Sequence, residues 1–205
     1  MGSRFMHLLI ADYVVRELDI SDRGDALLGA IAPDARAEKL GAHFKGDLHR
    51  YALNAPIDFG RFVVKYRDRF TDAFFLGYLT HLITDDIWTM KTDFSGFEAR
   101  LKAQPELYKI YHADLWLCNA KLDEIYRPHG VYDALSSAHT VPDMDEIDGA
   151  AVLAYKHEAL NDFTYPIENR RKPLSLFTLE DMIHYVERAK SKSLDICRMV
   201  KSMTS

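Results

Sequence analysis

Residues 74–88 read FFLGYLTHLITDDIW, an apolar run interrupted by a histidine and an aspartate four positions apart. Phe74, Phe75, Leu76, Leu79, Leu82, Ile83 and Ile87 surround His81 and Asp85. No strand-like alternation is visible, so the stretch predicts a helix over 72–90, buried on most of its surface. At i,i+4 spacing His81 and Asp85 lie one turn apart on the same face. A carboxylate buried in such a helix costs several kcal/mol unless it is paired or ligates a metal ion. A His–Asp hydrogen bond inside a structural core would satisfy the pattern, and so would a site for a borderline cation such as zinc.

The same 3.6-residue periodicity extends in both directions. Ser3 is placed to cap a helix through Leu18 that carries His7 among Phe5, Leu8 and Leu9. A short apolar helix then ends at Pro33-Asp34, and another short one ends near Gly41, just before His43. Further helices are predicted over 57–69, from Pro105 to Tyr126, over 144–161, and from Thr178 to Val200. Thr178 and Asp181 form a capping-box pattern at the start of the last one. Residues 127–142 read as a loop with a short helix, and 169–173 as irregular. There is no internal repeat and no linker composition. The expectation is an all-α protein, one helical domain over 1–205, with a metal site in a cleft between helices.

At 205 residues the chain can bury roughly 70% of its unfolded surface without a staple. Cys118 and Cys197 form no CxxC pair, and the N-terminal apolar run is broken by His7 and Asp12. No segment reaches the length of a membrane span. These features predict a cytoplasmic protein with reduced thiols and no stable membrane insertion. A net charge of −5 argues against nucleic acid as a partner. Oligomeric state leaves no mark in the pattern.

The order of the candidate residues is itself a motif: His7 in the first helix, APD at Ala32–Asp34, HF at His43–Phe44, and GYLTHLITDD at Gly77–Asp86. It resembles the zinc-dependent phospholipase C family, related in turn to the fungal single-strand nucleases, over about the first 90 residues. The resemblance implies an all-α fold with a zinc cluster between helices. It gives a metal-ligand role to His7, Asp34, His43, His81 and Asp85, with Asp34 or Asp85 bridging two ions.

The chain also departs from that pattern. Six residues precede His7, where secreted members use the amino group of their first residue as a ligand. The family's further histidine and its HxxxE pair are absent, the corresponding stretch reading IWTMKTDF. His112 and Asp114 in YHADLW are the nearest substitutes as additional site residues, although two positions apart they face different sides of a helix. One or two ions of zinc or another divalent transition metal are therefore expected rather than three.

The functional expectation is a divergent cytosolic member: a metal-dependent hydrolase of a small phosphoester, in which a metal-bound water attacks and Asp34 orients it or takes its proton. The alternative is a non-catalytic protein with a structural or sensory metal. Lys39, Lys45 and Arg50 are candidates to face a phosphate, and His49 to line the cleft. His129, His139, His157 and His184 read as surface residues.

Overall fold

A computed structural model describes residues 2–35, 39–45, 56–89, 100–101 and 103–203, with only the backbone described at 39 and 40. Its order is α1 (Arg4–Glu17), α2 (Arg23–Ile31), a 3-10 turn (Ala32–Ala35), α3 (Lys39–Ala42), α4 (Phe59–Lys65), a 3-10 turn (Arg67–Arg69) and α5 (Ala73–Thr89). Then come α6 (Leu107–Tyr126), α7 (Val131–Ser137), α8 (Gly149–Asn161), a 3-10 turn (Ile167–Arg170) and α9 (Leu179–Met203). Among the described residues the only extended pairing is an isolated antiparallel bridge between Lys45 and Ile57. The protein is all-α, built round one core.

The organising element is α5. Every residue of it except Asp86 and Thr89 is buried, as its nearly continuous apolar composition requires. Burial of a side chain such as Phe74, Leu79 or Ile83 contributes about 1.5–3 kcal/mol, so this one helix supplies a large part of the stability. α2 lies along it, α1 and α9 pack against it on other sides, and α4 covers a further part.

The α2–α5 crossing depends on two glycines. A Cβ added at Gly77 would stand 1.8 Å from the Ala26 carbonyl oxygen, and one at Gly29 would stand 2.0 Å from that of Phe74. Both obstacles are backbone, so no side chain can move aside, and the helices must separate. Gly77→Ala is expected to destabilise at or above the upper end of the usual range for overpacking, about 3 kcal/mol. A fall in melting temperature of at least roughly 6 °C should follow, at about 2–4 °C per kcal/mol for a domain of this size. A melt within a degree of wild type would show that the crossing tolerates the methyl group.

Local sequence chemistry sets the helix ends. Ser3 accepts from the Met6 amide at 3.3 Å and starts α1. Thr178 and Asp181 form the capping box at α9, Asp181 N–H donating to Thr178 Oγ at 3.1 Å. Two expected helices are shorter than their apolar patterns. The one predicted over 57–69 begins only at Phe59, because Asp58 accepts from the Arg61 amide at 2.9 Å, and it breaks at Tyr66. The one predicted over 144–161 begins at Gly149, because Asp148 accepts from the Ala151 amide at 2.8 Å. Pro105 lies ahead of α6 rather than in its first turn. Both cysteines are buried and unpaired, and no helix among the described residues is long and apolar enough to cross a membrane.

Candidate metal centre

Four separate pieces of chain meet on one face of α5. His7 comes from the second turn of α1 and Asp34 from the 3-10 turn after α2. His43 follows α3, and His81 and Asp85 stand on α5 itself. The His7 and His81 rings stack at 3.9 Å between centroids, 16° from parallel. His43 meets His81 edge-on, their Nε2 atoms 3.2 Å apart.

Asp85 sits at the centre. Its Oδ1 is 3.4 Å from His7 Nε2, while its Oδ2 is 3.4 Å from His43 Nε2 and 3.6 Å from His81 Nε2. His43 Nε2 is also 3.4 Å from Asp34 Oδ1. Two overlapping groups, His7–Asp34–His81 and His43–His81–Asp85, each have ligand atoms within 4.8 Å of one another and could hold a metal ion. The five side chains expected from the sequence are thus brought together.

The surroundings orient these groups. His81 Nδ1 lies 2.7 Å from the Ala30 carbonyl oxygen, which can only accept. The proton therefore sits on Nδ1, and Nε2 faces the cluster, the arrangement that fixes the tautomer of a metal-ligating histidine. That carbonyl belongs to α2, so the glycine crossing that holds α2 against α5 also sets the orientation of the ring. Four of the five side chains are essentially inaccessible, at 0–1% exposure, whereas the Asp34 side chain is 9% exposed. The cluster opens towards solvent at Asp34.

One feature of the interior is not explained by hydrogen bonding. Both ring nitrogens of His7, and Asp85 Oδ1, are buried with no hydrogen-bond partner, the 3.4 Å contact between them being misaligned for one. Buried polar groups are nearly always satisfied, and each orphan costs roughly 1–3 kcal/mol. A cation between a histidine nitrogen and a carboxylate oxygen would satisfy both. The donor set of imidazole nitrogens and carboxylates therefore fits a metal ion.

The protonation pattern points the same way. Burial works against a charge on His43, but hydrogen bonds to Asp34 and Asp85, and their charges, outweigh it and hold the imidazole up at about 9. Burial, reinforced by His81, pushes His7 down. Burial favours the neutral form of Asp85 too, yet the surrounding histidines hold its carboxyl well below the usual range. Without metal, a proton on His43 supplies the positive charge that the carboxylates demand.

This predicts a specific pH dependence. His43 binds its proton more tightly in the metal-free fold, at about 9, than at its ordinary value of 6.5. The stability it contributes, on the order of 3 kcal/mol, is complete below pH 6.5 and lost as pH rises through 9. A metal ion must displace that proton, so its affinity rises over the same interval. The lowered His7 and Asp85 act at the acid end instead, their contributions being lost as pH falls. Between pH 7 and 9 the melting temperature of metal-free protein should therefore fall while the increment from added metal grows. An increment that shrinks with rising pH would contradict this assignment of the proton.

His112 and Asp114 lie outside the cluster. Asp114 is buried, but its carboxylate accepts from the backbone amides of Ser175, Leu176 and Phe177 at 2.6–3.3 Å and anchors the chain entering α9. His112 is exposed, against the Tyr108 and Tyr111 rings. The i,i+2 spacing that turns them to different faces is the reason they cannot act together. His129, His139, His157 and His184 are exposed, as expected. His49, Arg50 and the side chain of Lys39 are outside the described residues.

Three tyrosines within reach of the cluster's charge carry no sequence signal. Burial and the charge of Asp85 push both Tyr111 and Tyr185 up, and burial and the charge of Asp34 do the same to Tyr155. They come from α6, α9 and α8, far from the other residues in sequence. In comparisons with known proteins, no family model, curated protein or solved structure matches this chain.

Proposed function

We propose that the protein is a metal-dependent phosphoester hydrolase, with one or two zinc ions held by His7, Asp34, His43, His81 and Asp85. The observation that carries this reading is the set of three orphaned buried atoms, two on His7 and one on Asp85, inside a cluster that reaches solvent at Asp34. The two ligand groups share His81, whose one free nitrogen can ligate a single ion, so each group is a candidate for one ion, and the order of the motifs supports the likeness to zinc-dependent phospholipases C. When bound, such an ion lowers the pKa of a water and offsets charge developing on a phosphoryl group.

Each residue has a role in this reading. Asp85, with its two oxygens facing different histidines, would be a central ligand of a bound ion. His81 is held by the Ala30 carbonyl and keeps Nε2 directed inward. Asp34 stands at the mouth and reaches solvent, so its carboxylate would orient the attacking water and accept its proton. A small phosphoester is the substrate class of this reading, and the net charge of −5 disfavours nucleic acid.

A second reading is a structural metal, and the near-complete burial of four of the five side chains favours it. Structural sites are closed, whereas catalytic sites keep an open position. Elemental analysis of purified protein, with turnover of a phosphomonoester and a phosphodiester measured with and without chelator, separates them. About one to two equivalents of zinc and chelator-sensitive turnover are expected. Metal-loaded protein that turns over neither ester but is strongly destabilised by chelator would establish the structural role, and protein that binds no metal would end both readings.

A further inference from the structure

The end of α6 is closed by an arginine where a glycine would sit more easily. Arg127 lies in the left-handed region, at φ 45° and ψ 63°, with its amide donating to the Asp123 carbonyl at 2.9 Å. Glycine takes up that conformation without a steric cost and is the usual residue there. The turn that Arg127 starts is pinned. The His129 amide donates to the Arg127 carbonyl at 2.7 Å, and Arg23 of α2 donates to the His129 carbonyl at 2.8 Å. Between this turn, the last turn of α6 and the 3-10 turn Ile167–Arg170 lies an open pocket of about 430 Å³, within the range of small-ligand sites. Its walls are Asp123, Glu124, Arg127, Pro128, His129 and Arg170, none of them part of the metal cluster.

The charges on these walls are not spent on one another. Asp123 is taken up, since the Tyr165 hydroxyl donates to it and Arg170 donates to it at 3.3 Å. Among the described residues Glu124 has a single long ion pair, 3.9 Å from Arg170. The Arg127 guanidinium and the His129 ring make no hydrogen bond or ion pair among those residues, and Arg170 Nε is buried without a hydrogen-bond partner. Glu124 and Arg127 are opposite in sign and three positions apart, yet they do not pair with each other. The pocket therefore offers one carboxylate and one guanidinium beside an ion pair that cancels.

We propose that this pocket binds a small zwitterion of the amino-acid class, its carboxylate on Arg127 and Arg170 and its ammonium on Glu124. The planar fork of a guanidinium matches a carboxylate through two parallel hydrogen bonds. A simple anion would also face Glu124 and Asp123, and a simple cation would also face the two arginines, whereas a ligand carrying both charges gains at both ends. The same ligand accounts for an arginine held in a conformation that favours glycine, because a strained residue at a pocket wall is retained for its side chain.

The test titrates the intact chain with the L-amino acids one at a time, following amide shifts around residues 123–130 by NMR beside thermal unfolding. At least one amino acid should bind about tenfold more tightly than the amine or the carboxylic acid obtained by removing one of its two charged groups. Arg127→Gly should weaken that binding about tenfold or more with a melting temperature equal to or above wild type, and Glu124→Gln should weaken it about tenfold. Affinity unchanged in Arg127→Gly, or a singly charged counterpart that binds as tightly as the amino acid, would overturn the proposal. A loss of affinity matched by a fall in melting temperature would also overturn it, by making Arg127 part of the fold. Wild-type protein that binds none of the amino acids would dismiss the pocket as a site and leave the metal centre untouched.

Discussion

Asp85→Ala is expected to leave the purified protein with less than about a tenth of the wild-type metal content, a loss larger than the 10–100-fold in affinity that follows removal of an outer-shell partner. Asp85 has short contacts to three histidines, facing His7 through Oδ1 and both His43 and His81 through Oδ2. Both ligand groups lose by its removal, one directly and the other through the positioning of His81 and His7. The fold is affected as well. His43 is held charged partly by Asp85, and a buried charge that loses its partner costs about 3–5 kcal/mol.

At about 2–4 °C per kcal/mol, the melting temperature of the variant should drop by roughly 6–20 °C, most of it present even without metal. His81→Ala should weaken metal binding severely too, because His81 belongs to both groups. Plasma-emission analysis of the two variants beside wild type decides the matter. Full metal content in both would place the metal elsewhere in the chain.

The helix that decides this fold was readable because its chemistry is local. Residues 73–89 are apolar on most of their surface, and two buried ionisable residues in such a helix need a common explanation. His7 was conspicuous for the same reason, as an imidazole where a hydrophobe would otherwise pack. Asp34 and His43 sit at a helix break and beyond a short helix, where no periodicity exists, and only their order along the chain drew them in. His112 and Asp114 show the opposite failure, because composition suggested ligands where the backbone of residues 175–177 needed an acceptor. A carboxylate that satisfies amides 61–63 residues away has no signature in its own neighbourhood. The glycines at the α2–α5 crossing matter through the backbone atoms they approach, which no pattern within either helix encodes.

Asp34→Asn distinguishes a catalytic centre from a buried staple. The amide keeps the shape of the carboxylate and one oxygen donor, so the 3-10 turn and its packing against α8 should survive. It cannot accept a proton, and it no longer offers His43 a negative charge across the 3.4 Å contact. For the hydrolase reading, turnover of the phosphodiester and the phosphomonoester should fall by about 10²–10⁴-fold, the range associated with a general base. Metal content should be only partly reduced, because His7, His43, His81 and Asp85 remain.

For the staple reading the same change acts through stability alone. Weaker metal binding to the native state lowers the melting temperature of the metal-loaded protein, and there is no turnover to lose. The two readings therefore diverge in a single variant measured two ways. Turnover unaffected by Asp34→Asn would remove this carboxylate from the chemistry, and the attacking water would then need another acceptor within the cluster. The pH profile offers an independent arm of the same experiment. His43 loses one of the two carboxylates that hold it at about 9, so its proton should leave at lower pH in the variant. The alkaline fall in metal-free stability should begin correspondingly earlier, whichever reading of the metal is right. An unchanged alkaline profile would mean that Asp85 alone holds the His43 proton, and that Asp34 faces the solvent side of the cluster without sharing in its charge balance.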